Sequence, residues 1–121
     1  MQAEGGERKV GYYIRVSTER QARVVEGSLK NQRQMLDTEL ERRNAQSPGW
    51  GVFVDAYVDE GISGKNTNRP EFQRMMRDLE TGRIDTVMFT ELSRLSRSLK
   101  DFLNIFEFAQ KHRCDLAMAL R

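Results

Sequence analysis

Val10-Gly11-Tyr12-Tyr13-Ile14-Arg15-Val16 alternates Val10, Tyr12, Ile14 and Val16 against Gly11, Tyr13 and Arg15, and that period of two predicts a β-strand. The strand runs straight into Ser17-Thr18 and then into polar sequence to Gly27, which reads as a loop. Ser28 has the character of an N-cap. Leu29, Leu36 and Leu40, with Met35 beside them, form a helical stripe to about Arg43. Ser47, Pro48 and Gly49 mark a loop, and Val52 to Val58 alternates again as a second strand.

The polar segment from Asp59 to Arg69, with Gly61 and Gly64, reads as a flexible loop. Pro70 suits the first position of a helix. Phe72, Met75, Met76 and Leu79 follow at helical spacing, and Gly82 suits the position after its end. Ile84 to Thr90 is a short apolar run, expected to be a buried strand. Ser98, with Asp101 three residues on, resembles a capping box opening a helix to about Arg113 that buries Phe102, Phe106 and Ala109. Asp115 to Arg121 starts a further strand. Strands alternating with helices imply an α/β three-layer sandwich with a mainly parallel central sheet flanked by helices. Residues 1–9 are expected to be a disordered tail and 10–121 one domain. The chain stops inside or just after its last expected strand, so a fragment of a longer protein is expected.

The 121 residues suffice for one domain with a real core, and 38% apolar with 31% charged residues suit a soluble globular chain. Net charge is only +2. Residues 1–60 hold 9 Lys/Arg against 10 Asp/Glu and residues 61–121 hold 11 against 8, so a basic site must be a local cluster. The lone Cys114 excludes an intrachain disulfide and suggests a reducing compartment, the cytoplasm. No stretch has membrane-spanning length, and the polar N-terminus lacks a signal-peptide core.

In open α/β sheets, sites collect at the carboxyl ends of strands. Arg15 and Ser17, two apart, project from the same face of the first strand end. By themselves they read rather as an arginine on a solvated strand face and a serine in a turn. Arg94 and Arg97, three apart, share a face if helical, and two neighbouring guanidiniums fit a phosphate; alone, they also read as solvated surface residues. Arg69 stands before Pro70 at a helix N-terminus, a favourable place for an anion, or is a plain loop arginine. Gly61 to Gly64 is not a Walker loop, because no Ser or Thr follows Lys65. The single His112 reads as a helix cap or surface residue, lies far along the chain from Ser17 for a Ser-His-Asp triad, and forms no metal-ligand pattern with Cys114. Three arginine sites with a serine suggest metal-free phosphoryl chemistry, the guanidiniums holding the charge.

Tyr12-Tyr13-Ile14-Arg15-Val16-Ser17-Thr18 resembles the Y-x-R-V-S-T opening of serine site-specific recombinases of the resolvase/invertase type. Asp59-Glu60-Gly61-Ile62-Ser63-Gly64, with Arg69-Pro70, resembles the D-E-G-x-S-G…R-P stretch of the large members, and Leu92-Ser93-Arg94-Leu95-Ser96-Arg97 resembles their L-D-R-L-x-R segment. The three occur in the family's order across roughly residues 10–121. The resemblance implies Ser17 as nucleophile, Arg15, Arg69, Arg94 and Arg97 as an exposed phosphate cage, and Gln21, Gln32, Asp59 and Ser63 as supporting groups. Ser93 stands where many relatives have Asp, which leaves the general acid or base unassigned. The resemblance further implies double-stranded DNA as partner, a homodimer that pairs into a synaptic homotetramer, no cofactor or metal, no small-molecule substrate, and origin in a mobile element. The competing readings are a nuclease-like or degenerate relative and a non-enzymatic α/β regulatory module such as a receiver. Arg15 and Ser17 at the first strand end, in place of an acidic cluster, argue against the last.

Overall fold

A computed structural model describes residues 7–16, 29–60, 69–95 (backbone alone at 92 and 93) and 98–119. It contains β1 (Arg8–Val16), α1 (Leu29–Gln46), β2 (Gly51–Glu60), α2 (Pro70–Thr81), β3 (Thr86–Phe89), α3 (Leu92–Leu95), α4 (Leu99–Lys111) and β4 (Asp115–Met118). The four strands form one sheet in the order β2-β1-β3-β4, and every pairing is parallel. The result is the expected three-layer α/β sandwich.

The alternation in β1 sorts side chains between two cores rather than between core and water. Every residue from Val10 to Val16 is buried, as strands covered on both faces require. Val10, Tyr12 and Ile14 pack with Leu36 and Leu40 of α1 and Met88 of β3. Tyr13 packs on the opposite face with Tyr57 of β2, Met75 and Leu79 of α2, Val87 and Phe89 of β3, and Ile105 of α4. β1 begins at Arg8, so Arg8 and Lys9 belong to the sheet and not to a tail; residues 1–6 lie outside the described residues.

The helices follow local rules where the relevant contacts are local. α2 starts with Pro70, ends on Gly82 at φ 84°, and turns Met75 and Leu79 inward. α4 starts on Ser98, whose Oγ accepts from the Asp101 N–H at 3.0 Å, and ends on His112, whose ring lies 4.4 Å from that of Phe108. α1 runs three residues past its expected end and buries Glu39, whose carboxylate accepts from Arg42 and Arg43 at 2.6 and 2.7 Å. Its expected cap, Ser28, lies outside the described residues.

One expectation about α4 fails. Ile105 and Ala109 face the core, while Phe106 is 43% exposed and stacks on half-buried Phe102 at a centroid distance of 6.2 Å. Apolar residues occupy most of this helix's circumference, so its periodicity does not name the inward stripe. β3 and β4 are also shorter than the apolar runs that announce them.

Gly11 sits where β1 shifts register against β2. A Cβ there would lie 2.7 Å from Ile84 Cδ1 and 2.8 Å from Tyr57 Cε1. Ile84 has a flexible end, but the Tyr57 ring is tethered by its hydroxyl, which donates to Asp78 at 2.6 Å. Gly11→Ala should therefore overpack the core and lower stability by about 1–3 kcal/mol in urea unfolding. A wild-type midpoint would show that the ring yields freely.

Candidate active site

Parallel pairing brings the carboxyl ends of β1, β2 and β3 to one edge of the sheet. There Arg15 is in register with Asp59, and Val16 with Glu60. β3 leads through Thr90 and Glu91 into the single turn of α3, which carries Arg94. That turn is absent from the expected elements, because four residues give no periodicity to read.

Arg15 and Arg94 grip each other's backbone. Arg15 Nε donates to the Arg94 carbonyl and Arg94 Nη1 to the Arg15 carbonyl, both at 3.4 Å. Gln32 of α1 donates through Nε2 to the same Arg15 carbonyl at 3.2 Å. These arginines are not exposed, contrary to expectation: Arg15 is 3% and Arg94 9% accessible. The central strand and α3 enclose them, and the carbonyls hold their guanidiniums in place. Arg94 Nε is buried without a hydrogen-bond partner among the described residues, and no carboxylate there pairs with Arg94. A buried cation with an unfilled donor is costly unless an anion reaches it.

Asp59 turns out to be an architectural residue. Its Oδ1 accepts from the Glu71 N–H and its Oδ2 from the Phe72 N–H, both at 3.1 Å, and Oδ2 also accepts from the Tyr13 hydroxyl at 2.8 Å. α2 needs this borrowed cap, since Arg69 at its N-cap has no acceptor and makes no side-chain cap bond. The anion place expected at this helix start is thus filled by a carboxylate of the protein itself. Burial, with Asp59 accepting from its hydroxyl, holds the Tyr13 phenol well above its ordinary pKa.

Arg69 is fixed beside this cap. Nη1 donates to the Leu95 carbonyl at 2.9 Å, Nη2 lies 3.4 Å from Asp101 Oδ2, and the guanidinium stacks 3.9 Å from the Phe72 ring centroid. Arg15, Gln32, Asp59, Arg69 and Arg94 thus share one edge of the sheet. Ser17, Gln21, Ser63 and Arg97, and the side chain of Ser93, lie outside the described residues. Sequence reasoning gave no site role to Tyr13, Phe72 or Asp101. Tyr13 alone carried a signal, as the tyrosine of the quoted opening motif. Among the described residues, no helix is long and apolar enough to cross a membrane.

Residues 10–120 match the family described as Resolvase, N terminal domain. A protein named Resolvase from Clostridium perfringens is 40% identical over 96 residues, covering 78% of this chain and 40% of that protein. The chain therefore spans well under half of that relative. The N-terminal catalytic domain of TP901-1 integrase superposes with a TM-score of 0.79 at 34% identity, covering 93% of this chain and 78% of that one. A resolvase family site-specific recombinase from Streptococcus pneumoniae gives 0.75 at 28% identity, covering 93% and 72%.

Asp59→Ala removes the borrowed cap and orphans two backbone donors and a buried phenol. It should destabilise the fold by about 2 kcal/mol in urea unfolding, with Asp59→Asn costing less. A loss of activity at unchanged stability would mean that Asp59 acts on chemistry and not on architecture.

Proposed function

The chain belongs to the resolvase N-terminal domain family, and from that premise we propose that it is the catalytic domain of a serine site-specific recombinase that cuts and rejoins double-stranded DNA through Ser17. The observation that carries this reading is the buried, carbonyl-anchored pair Arg15 and Arg94 at the strand ends, with Arg94 Nε meeting no acceptor among the described residues. A phosphodiester supplies that acceptor, and a guanidinium presents a planar fork of donors to it.

In the proposed reaction Ser17 Oγ attacks phosphorus and loses its proton. The bond from phosphorus to the 3′ oxygen breaks, and that oxygen leaves protonated as a 3′ hydroxyl. The product is a 5′-phosphoserine link, which conserves the phosphodiester energy, so no nucleotide cofactor enters. After strand exchange a 3′ hydroxyl attacks the link, releasing Ser17 and resealing DNA. Arg15, Arg69, Arg94 and Arg97 hold the charge that develops on the phosphoryl oxygens, the work that metal ions do in many phosphoryl transferases. Ser93 is not assigned a proton-transfer role. Gln21, Gln32 and Ser63 support the cage. The whole protein acts as a dimer and as a synaptic tetramer, in the cytoplasm.

Full-length recombinase with DNA bearing its own site, in a chelator, should yield a covalent adduct on a denaturing gel, mapped to the 5′ phosphate. Ser17→Ala should yield none. Arg94→Met should lower adduct formation by about a hundredfold or more. Its stability should stay within about 1 kcal/mol of wild type or rise, because a buried charge gives way to an apolar chain of similar volume. An adduct that survives Ser17→Ala, or no adduct where site binding is confirmed, would overturn the reading in favour of a relative that binds or nicks DNA.

A further inference from the structure

Arg69 stands at the N-cap of α2, yet two of its partners lie on a different stretch of chain. Leu95, whose carbonyl accepts from Nη1, closes the turn that carries Arg94, and Asp101, whose carboxylate faces Nη2, lies in the first turn of α4. Asp101 is itself well anchored, since its N–H is capped by Ser98 Oγ at 3.0 Å. The Phe72 ring closes a third side, 3.9 Å from the guanidinium carbon. A long arginine side chain otherwise samples many rotamers. Here it is clamped between the start of its own helix and the segment that carries the next arginine of the cage.

The clamp contributes little to stability. The Arg69 and Asp101 side chains are 13% and 42% accessible and sit 3.4 Å apart, and ion pairs open to water on one side are worth little. What the contact sets is direction: a guanidinium has five donors, and holding two on the Leu95 carbonyl and the Asp101 carboxylate orients the rest. We propose that Asp101 is a positioning residue, whose carboxylate aims Arg69 at the phosphate that Arg15 and Arg94 receive. This rests on the recombinase reading of the site.

The test is a double-mutant cycle in the full-length recombinase, with Asp101→Ala, Arg69→Ala and the double variant. The readouts are single-turnover adduct formation at saturating site DNA, DNA affinity, thermal midpoint, and the ¹⁵N resonance of the Arg69 Nε–H. Asp101→Ala should slow adduct formation on the order of tenfold with affinity and midpoint nearly unchanged, as a misaimed group would. It should add nothing in the Arg69→Ala background, and Asp101→Glu should restore most of the rate. Equal slowing in both backgrounds, or a wild-type rate, overturns the proposal. If the wild-type chain itself forms no adduct, the recombinase reading falls, and the resonance still decides the clamp: Asp101→Ala must set the guanidinium in faster motion, and an unchanged line refutes it.

Discussion

The Asp59 carboxylate joins three elements, β1 through the Tyr13 hydroxyl, α2 through two backbone N–H groups, and β2 on which it stands. A helix that opens Arg69-Pro70 has no means of capping itself, because arginine offers no acceptor. The acceptor has to come from elsewhere in the fold, and here it comes from the carboxyl end of a neighbouring strand. That choice sets where α2 begins against the sheet, and hence where Arg69 emerges. It also keeps Tyr13 buried with its hydroxyl satisfied, so the central strand can be closed on both faces without an orphaned polar group.

Several arginines elsewhere among the described residues pair with carboxylates. Arg42 and Arg43 bind Glu39, while Arg74 and Arg83 bind Asp55 and lie within reach of Asp78. At the carboxyl edge of the sheet the anchors are of another kind. Arg15, Arg69 and Arg94 each donate to a main-chain carbonyl. A carbonyl dipole fixes a guanidinium but does not cancel its charge. Arg69 is also paired with Asp101, whereas Arg94 meets no carboxylate among the described residues, and in its desolvated setting its charge acts more strongly than in water. In the proposed function such an arrangement lowers stability in exchange for affinity toward the DNA phosphate, as functional sites commonly do.

What the sequence disclosed depended on the range of the contacts involved. α2 was readable end to end because Pro70, its apolar stripe and Gly82 lie within thirteen residues and act locally. The Ser98 cap was readable for the same reason. The strands announced themselves by alternation, though in β1 the two faces meet two cores, a distinction that needs knowledge of what covers each face. The inward face of α4 was hidden by its surplus of apolar residues. The role of Asp59 was hidden because a borrowed cap links positions twelve and thirteen residues apart across a segment with no periodicity. Motif resemblance nominated Arg15, Gln32, Asp59, Arg69 and Arg94, and folding brings these to one edge. It was silent on their burial, since a motif records identity and not environment.

The two edges of the sheet are built for different ends. At the amino edge, Asn44 pairs both ways with the Gly51 backbone, the Arg8 and Arg43 guanidiniums both lie over the Trp50 ring at 4.6 and 4.8 Å, and the Asp85 carboxylate accepts from the Lys9 N–H. These contacts satisfy their partners within the molecule and lock α1, β1, β2 and β3 together. At the carboxyl edge the contacts orient side chains while leaving Arg94 with a donor unfilled among the described residues. A parallel sheet makes that division possible, because all four strands point the same way and one edge can be sacrificed to chemistry while the other secures the fold. The cost of a buried arginine with a donor unfilled among the described residues is confined to the carboxyl edge, where Asp59 and Leu95 still tie that edge to the core.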